Sequence, residues 1–232
     1  MTTTTAPSDT TPAGLTASGG TKGGTTGSTT GDTAGGTTDG TAGGTTGGTT
    51  GGGARAVRPE PSPAPDAADF RAAMGRFPTG VTLLTQGYGD HTSVITLNSL
   101  VSVSLDPLLL LVSVKSAGRI RPRVGAAGSF AVNVLGRGQR DLAVEFCRPD
   151  RSEGQAAVRR MAAVPGVTGN AVMPSAEAYV ECVLEHEHRA GDHTLLIGRA
   201  VAVVIRDRSP DPLLFHRGGF TGLPTTEQRS AA

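Results

Sequence analysis

Tryptophan is missing from this chain, and all aromatic residues together make up only 3% of it. Base-stacking platforms are therefore scarce, and a net charge of +1 gives no broad cationic field for a nucleic-acid backbone. Cysteine is almost missing as well. Cys147 and Cys182 stand far apart without metal-ligand spacing, so a buried, reduced pair of thiols is expected. No run approaches the roughly 18 apolar residues that cross a bilayer, so no membrane span is expected. There is no GxSxG, and no GxGxxG follows a strand, so neither a nucleophile elbow nor a Rossmann phosphate loop is expected.

The first 53 residues lack even more. They hold one leucine, Leu15, and no Val, Ile, Phe, Tyr or Trp. Such a segment cannot offset the roughly 1–2 kcal/mol per residue that backbone ordering costs. A proline-rich stretch, "RPEPSPAPD" (58–66), follows it and favours extended chain. Residues 1–65 are therefore expected to form a disordered Thr/Gly-rich tail and linker, and residues 224–232 a flexible C-terminal tail. The tail has no basic start and no apolar core of a secretory signal, so the cytoplasm is the expected compartment.

Residues 66–223 have the length of one domain. "DAADFRAAMGRF" (66–77) has helical spacing, with Asp66 as a cap and Pro78 as its stop. "TGVTLLTQG" (79–87) and "HTSVITLNS" (91–99) read as strands of a hairpin around a glycine turn. "LLLLVSV" (108–114) reads as a strand buried on both faces or nearly so. A loop with a short helix, broken at Pro122, leads to a strand at 129–135 and a helix at 138–147. Two further strands flank the turn "AGDH" (190–193), and a short one covers 213–215; the stretch 148–174 gives no clear element. Six or seven strands joined by short turns, with two or three short helices, predict a mainly β, antiparallel closed or split barrel.

Two constellations carry polar chemistry. "EHEHRAGDH" places His186 and His188 two apart on a strand, on one face, with Glu185 or His193 as further zinc-ligand candidates. A solvated strand end is the plainer reading of this cluster. In "TLNSLVSVS" (96–104), Thr96, Asn98, Ser102 and Ser104 share one parity, so one strand face presents them all. Lys115, Ser116, Arg119 and Arg121 follow, close to Arg123, beside glycine-containing backbone suited to a small phosphate. Taken alone, these segments read as a half-exposed strand and a solvated basic loop.

Five blocks in order change that weighting: "FPTGVTLLT", "ITLNSLVSVSLDPLLLLVSV", "GSFAVNVLGRGQRDLA", "AGDHTLLIGRAVAV" and "PLLFHRGGF". Together, from about Phe70 to Leu223, they resemble the short-chain flavin reductases, the reductase components of two-component flavin-dependent monooxygenases. The resemblance implies an FMN-binding split β-barrel of Greek-key-like antiparallel strands, usually a homodimer. It implies FMN or FAD, with NADH or NADPH as hydride donor, and a partner monooxygenase that receives reduced flavin. Mapped onto this chain, Thr96, Asn98, Ser99, Leu100 and Ser102 line the flavin ring, and Lys115, Ser116 and Arg119 handle the phosphate end. His193 stands near the nicotinamide, and Phe220 borders the pocket on the same side.

The chain departs from the family pattern at Val94, where glycine is frequent, and at Arg119-Ile120, where a small hydroxyl pair is usual. Arg160-Met161 stands where a Lys-Phe pair is common. Two other readings fit the same barrel: a flavin-binding module without reductase activity, and an oxygenase that retains its flavin.

Overall fold

A computed structural model describes residues 64–207 and 210–224. The expected tails therefore lie almost wholly outside the described residues. Helix α1 (Ala67–Met74) opens the fold. It ends earlier than expected, because Gly75 bonds back to Arg71 O and Phe77 to Met74 O in a closing turn ahead of Pro78. The strand expected at 79–87 is two strands, β1 (Thr79–Gly80) and β2 (Thr82–Gln86). They part at Val81, whose N–H bonds Leu213 O while its carbonyl accepts from Leu135 N–H.

The chain continues through β3 (Ser93–Leu97), β4 (Val101–Leu105), β5 (Leu108–Lys115), α2 (Ile120–Ala127), β6 (Ser129–Val134) and α3 (Arg140–Phe146). Then come α4 (Gly154–Met161), β7 (Val164–Pro165), β8 (Ala171–Val172), β9 (Ala178–Ala190), β10 (His193–Ile205), β11 (Leu214–His216) and β12 (Gly219–Thr221). Seven strands form one antiparallel sheet in the order β3-β2-β6-β9-β10-β5-β4. β1, β11 and β12 form a second, small sheet. The large sheet is brought back on itself where Ser99, just beyond β3, meets Ser113 of β5. The expectation of a mainly β, split antiparallel barrel matches this architecture.

Three expectations are corrected. Pro122 does not break α2; it occupies the first turn, where the N–H that proline lacks has no intrahelical partner. β5 is not buried on both faces. Leu110, Val112 and Val114 point into the core, while Leu109, Leu111 and Ser113 on the opposite face are only partly buried. The hydroxyl strip is not one strand face. The chain bends at 98–100, β3 and β4 lie at opposite ends of the sheet order, and the β4–β5 register shifts between Ser102 and Ser104. Each of these depends on non-local pairing, which alternation along one strand cannot reveal.

Two buried clusters hold the fold. Leu84, Val112, Val124, Phe130, Val132, Cys182 and Leu196 fill the barrel beneath α2. Val81, Leu83, Leu135, Phe146, Met161, Met173 and Leu213 bind the sheet to α3 and α4. Gly198 of β10 lies where a Cβ would stand 2.5 Å from the Phe130 ring, so the aromatic occupies the room a side chain would need. The segment that gave no sequence signal is ordered by buried polar groups. Glu181 accepts from Val167 N at 3.0 Å, Thr168 N at 2.8 Å and Thr168 Oγ1 at 2.6 Å. Asn133 accepts from Met173 N at 2.8 Å and donates to Leu83 O at 3.3 Å.

Both cysteines are free, and Cys182 is fully buried. Burial first, then the neighbouring Glu181 charge, pushes its thiol up to about 12. In the unfolded chain the thiol ionises near 9.0. The protonated thiol's contribution to stability is thus complete below that pH and is lost as pH rises toward 12. Urea unfolding at stepped alkaline pH should show Cys182→Ala losing stability more slowly than the parent, by about 1 kcal/mol per pH unit. Parallel slopes would show that this thiol does not carry the dependence.

Candidate functional site

The polar strip is built around the edge of β3. Thr96 is buried and donates from Oγ1 to Ala143 O of α3 at 2.8 Å. Its hydroxyl fastens the helix to the strand from behind. Ser99 Oγ donates to Ser113 O at 3.0 Å and accepts from Ser113 N at 3.1 Å. One side chain thereby imitates a paired strand residue and closes the seam between β3 and β5. Asn98 lies between them, half-buried, and its side-chain amide has no hydrogen-bond partner among the described residues. Leu100 and Ser102 line an apolar groove of about 250 Å³, together with Ser104, Leu108, Val180 and Val203.

Strand pairing carries this wall to the turn after β9. Lys115 pairs with His193, and Ser113 pairs with Leu195. Two residues along β5 span about 7 Å, so the Ser99–Ser113 seam and the Lys115–His193 pair are close neighbours on one outer face. His193 Nδ1 lies 2.7 Å from Asp192 Oδ1. That hydrogen bond is the largest cause holding the Asp192 carboxyl below its ordinary range; the charges of His193 and Lys115 add to it.

The three residues expected to grip a phosphate point in different directions. Lys115 is exposed beside His193. Ser116 Oγ bonds Thr194 Oγ1 at 2.9 Å and faces a cavity of about 620 Å³. Arg121, Glu187, Arg189, Asp192 and Thr194 share that cavity, with Arg121 and Glu187 paired at 2.5 Å. Arg119 turns toward the loop after α3, donating to Pro149 O at 2.8 Å and pairing with Glu153 at 3.0 Å. Sequence reasoning missed Thr194, Glu187 and Arg189; a register for the "AGDH" hairpin against β5 was the signal that finds them. It also missed Arg151, whose Nε donates to Val94 O at 2.7 Å on the open edge of β3.

Phe220 stands elsewhere, on β12 in the small sheet. It packs edge-on against Phe215, 5.5 Å between centroids, with the Arg140 guanidinium over its ring. His186 and His188 do share a face, their rings 5.9 Å apart, but Glu185, a third candidate ligand, is paired with Arg199 at 3.2 Å. Among the described residues no three His, Cys, Asp or Glu side chains are placed to hold a metal. No helix among them is long and apolar enough to cross a membrane.

Comparison with known proteins agrees with this geometry. Residues 74–224 match the model of the flavin reductase like domain. The NADH-dependent FMN reductase AsuE2 of Streptomyces nodosus subsp. asukaensis is 43% identical over 68% of this chain and 86% of its own length. The flavin-dependent monooxygenase reductase subunit HsaB of Mycobacterium tuberculosis is 30% identical over 68% of this chain and 83% of its own. Among solved structures, the NADH:FAD oxidoreductase SgcE6 of Streptomyces globisporus, in complex with NAD and FAD fragments, superposes with a TM-score of 0.63. It is 31% identical and covers 69% of this chain and 94% of that one. A family match over most of the chain, together with the same barrel in a solved relative, makes this protein a member of the flavin reductase-like domain family.

Proposed function

We propose that the chain is an NAD(P)H:flavin oxidoreductase, using NADH or NADPH to reduce FMN or FAD and supplying reduced flavin to a partner monooxygenase. The observation that carries the reading is the unpartnered Asn98 amide on a wall that continues to Lys115 and His193. A carboxamide offers two donors and an acceptor side by side, which suits a flat ring edge bearing carbonyls and ring nitrogens. The residues therefore fit a flavin. When bound, the flavin accepts the hydride that the nicotinamide donates, so the protein itself needs no acid–base dyad.

The chain's own groups position the reactants. Thr96 and Ser99 hold the wall, against which the ring would lie, through their bonds to Ala143 and Ser113. Leu100 and Ser102 border the ring where the apolar groove begins. Of the residues offered for the phosphate end, Lys115 lies open, while Ser116 and Arg119 would exchange Thr194 and Glu153 for the phosphate. Asp192, held below its ordinary range, lies 2.7 Å from His193 Nδ1 and orients the ring, which leaves Nε2 to meet the nicotinamide amide. Phe220, packed against Phe215 under Arg140, lies apart from this wall.

A homodimer completes the assembly in this reading. Val101, Val103, Leu105, Leu108, Val203 and Ile205 are all exposed on β4, β5 and β10, with Leu105 at 83% and Ile205 at 77%. Exposed apolar side chains gathered on three neighbouring strands fit an interface. The compartment remains the cytoplasm.

Mixing the protein with NADH and free FMN or FAD should give multiple turnovers, read as loss of NADH absorbance. Turnover with neither flavin would overturn the reading if NADPH also fails. Asn98→Ala should weaken flavin binding about tenfold in a fluorescence titration, the loss of one well-made hydrogen bond. His193→Ala should raise the KM for the nicotinamide about tenfold and leave kcat within about twofold; an unchanged KM would remove that role. Leu105→Asp should convert a dimer to a monomer in light scattering with the monomer still folded. An unaltered mass would place the interface elsewhere.

A further inference from the structure

The loop 148–153 is strapped across the open edge of the barrel. Arg151 anchors it to β3 through Val94 O, and Arg119 anchors it to the start of α2 through Pro149 O and Glu153. The backbone beneath Glu153 is fixed, because Gly154 N–H donates to Thr92 O at 2.8 Å. The contact between Arg119 and Glu153 is poorly made. Glu153 Oε1 is shielded from water and sits 3.0 Å from Arg119 Nη1, yet it accepts no aligned hydrogen bond. Burial first, and then the like charge of Arg119, push the Arg151 guanidinium below its ordinary range. Two cations thus crowd one loop, with a single badly aligned carboxylate between them and the start of α4.

We infer that Glu153 is a positioning residue that holds Arg119 away from the flavin phosphate, so that binding requires Arg119 to exchange a carboxylate for the phosphate. The inference rests on the reading above that Arg119 meets the phosphate end. An Arg119 already paired contributes only the difference between two ion pairs, which weakens binding and favours release of reduced flavin. The exchange involves no bond making and no redox step. Because Arg119 is 53% exposed, the competing pair is worth little, and its removal corresponds to about a two- to fivefold change in affinity.

The test is fluorescence titration of the full chain with FMN and with riboflavin, which lacks the phosphate. Glu153→Gln should tighten FMN about two- to fivefold and leave riboflavin unchanged. Glu153→Ser should act in the same direction, and thermal melting of both variants checks that they fold. Arg119→Ala should weaken FMN but not riboflavin, and should abolish the effect of Glu153→Gln in the double variant. Glu185→Gln, which removes the same charge from the distant Arg199 pair, should do nothing. If Arg119→Ala discriminates FMN from riboflavin but Glu153→Gln does not tighten FMN, the exchange is wrong and the phosphate role stands. If the tightening survives in the double variant, or Glu185→Gln reproduces it, a general charge effect replaces the inference. If Arg119→Ala weakens both flavins equally or neither, Arg119 does not meet the phosphate and both readings fall.

Discussion

The outer edge of β3 has backbone groups that no neighbouring strand pairs, and the site follows from how the chain satisfies them. An open edge invites association, and a buried unpaired carbonyl costs about as much as a lost hydrogen bond. Here the edge is met by side chains. Arg151 caps Val94 O, and Ser99 reaches across with a donated and an accepted bond to Ser113. Because Ser99 turns inward to β5, the chain must bend between β3 and β4. That bend sets Asn98 apart from the ladder, with its amide available. A fully closed barrel would have paired the edge and left no such residue.

The same constraint explains the polar interior of the helical side. The 148–176 region buries mainly small apolar side chains, with Met161 and Met173 the large ones, so polar groups share the work of fixing it. Glu181 binds the turn between β7 and β8 with three hydrogen bonds, and Asn133 reaches Met173. Asn170 ties Gly87 N–H to Ser129 and Thr168. Bonds to a carboxylate such as Glu181 contribute about 1.5–3 kcal/mol each, and the neutral bonds of Asn133 and Asn170 about 0.5–1.5 kcal/mol. They anchor the chain after α4, while Gly154 and Arg151 anchor it before. The strap that carries Glu153 is held at both ends.

What could be read in the sequence was whatever depends on neighbours along the chain. The alternation in "SFAVNV" and the turn in "AGDH" located β6 and the β9–β10 hairpin because strand period and turn chemistry are local. The ordered blocks then carried the barrel. Direction could not be read. Thr96 and Asn98 have the same parity, yet Thr96 bonds α3 while Asn98 sits in a bend, because the chain leaves the ladder between them. Lys115, Ser116 and Arg119 looked like one grip, but a strand end sends successive side chains to opposite faces and α2 carries the third away. Nothing local singles out Glu181; only its distant partners, Val167 and Thr168, make it a core carboxylate.

The polar side chains around the site are nearly all committed to partners in the chain itself. Thr96 holds Ala143, Ser99 holds Ser113, Ser116 holds Thr194, Arg119 holds Glu153, and Arg121 holds Glu187. A ligand that recruits any of them gains the difference between two interactions rather than the whole of one. Asn98 and Ser102 make no such bond among the described residues, and Lys115 lies open beside His193. A resident prosthetic group is held by groups that have no alternative partner. A wall whose groups mostly do have one would give orientation without tight retention, which is the balance the proposed function requires, with a flavin that arrives, is reduced and departs.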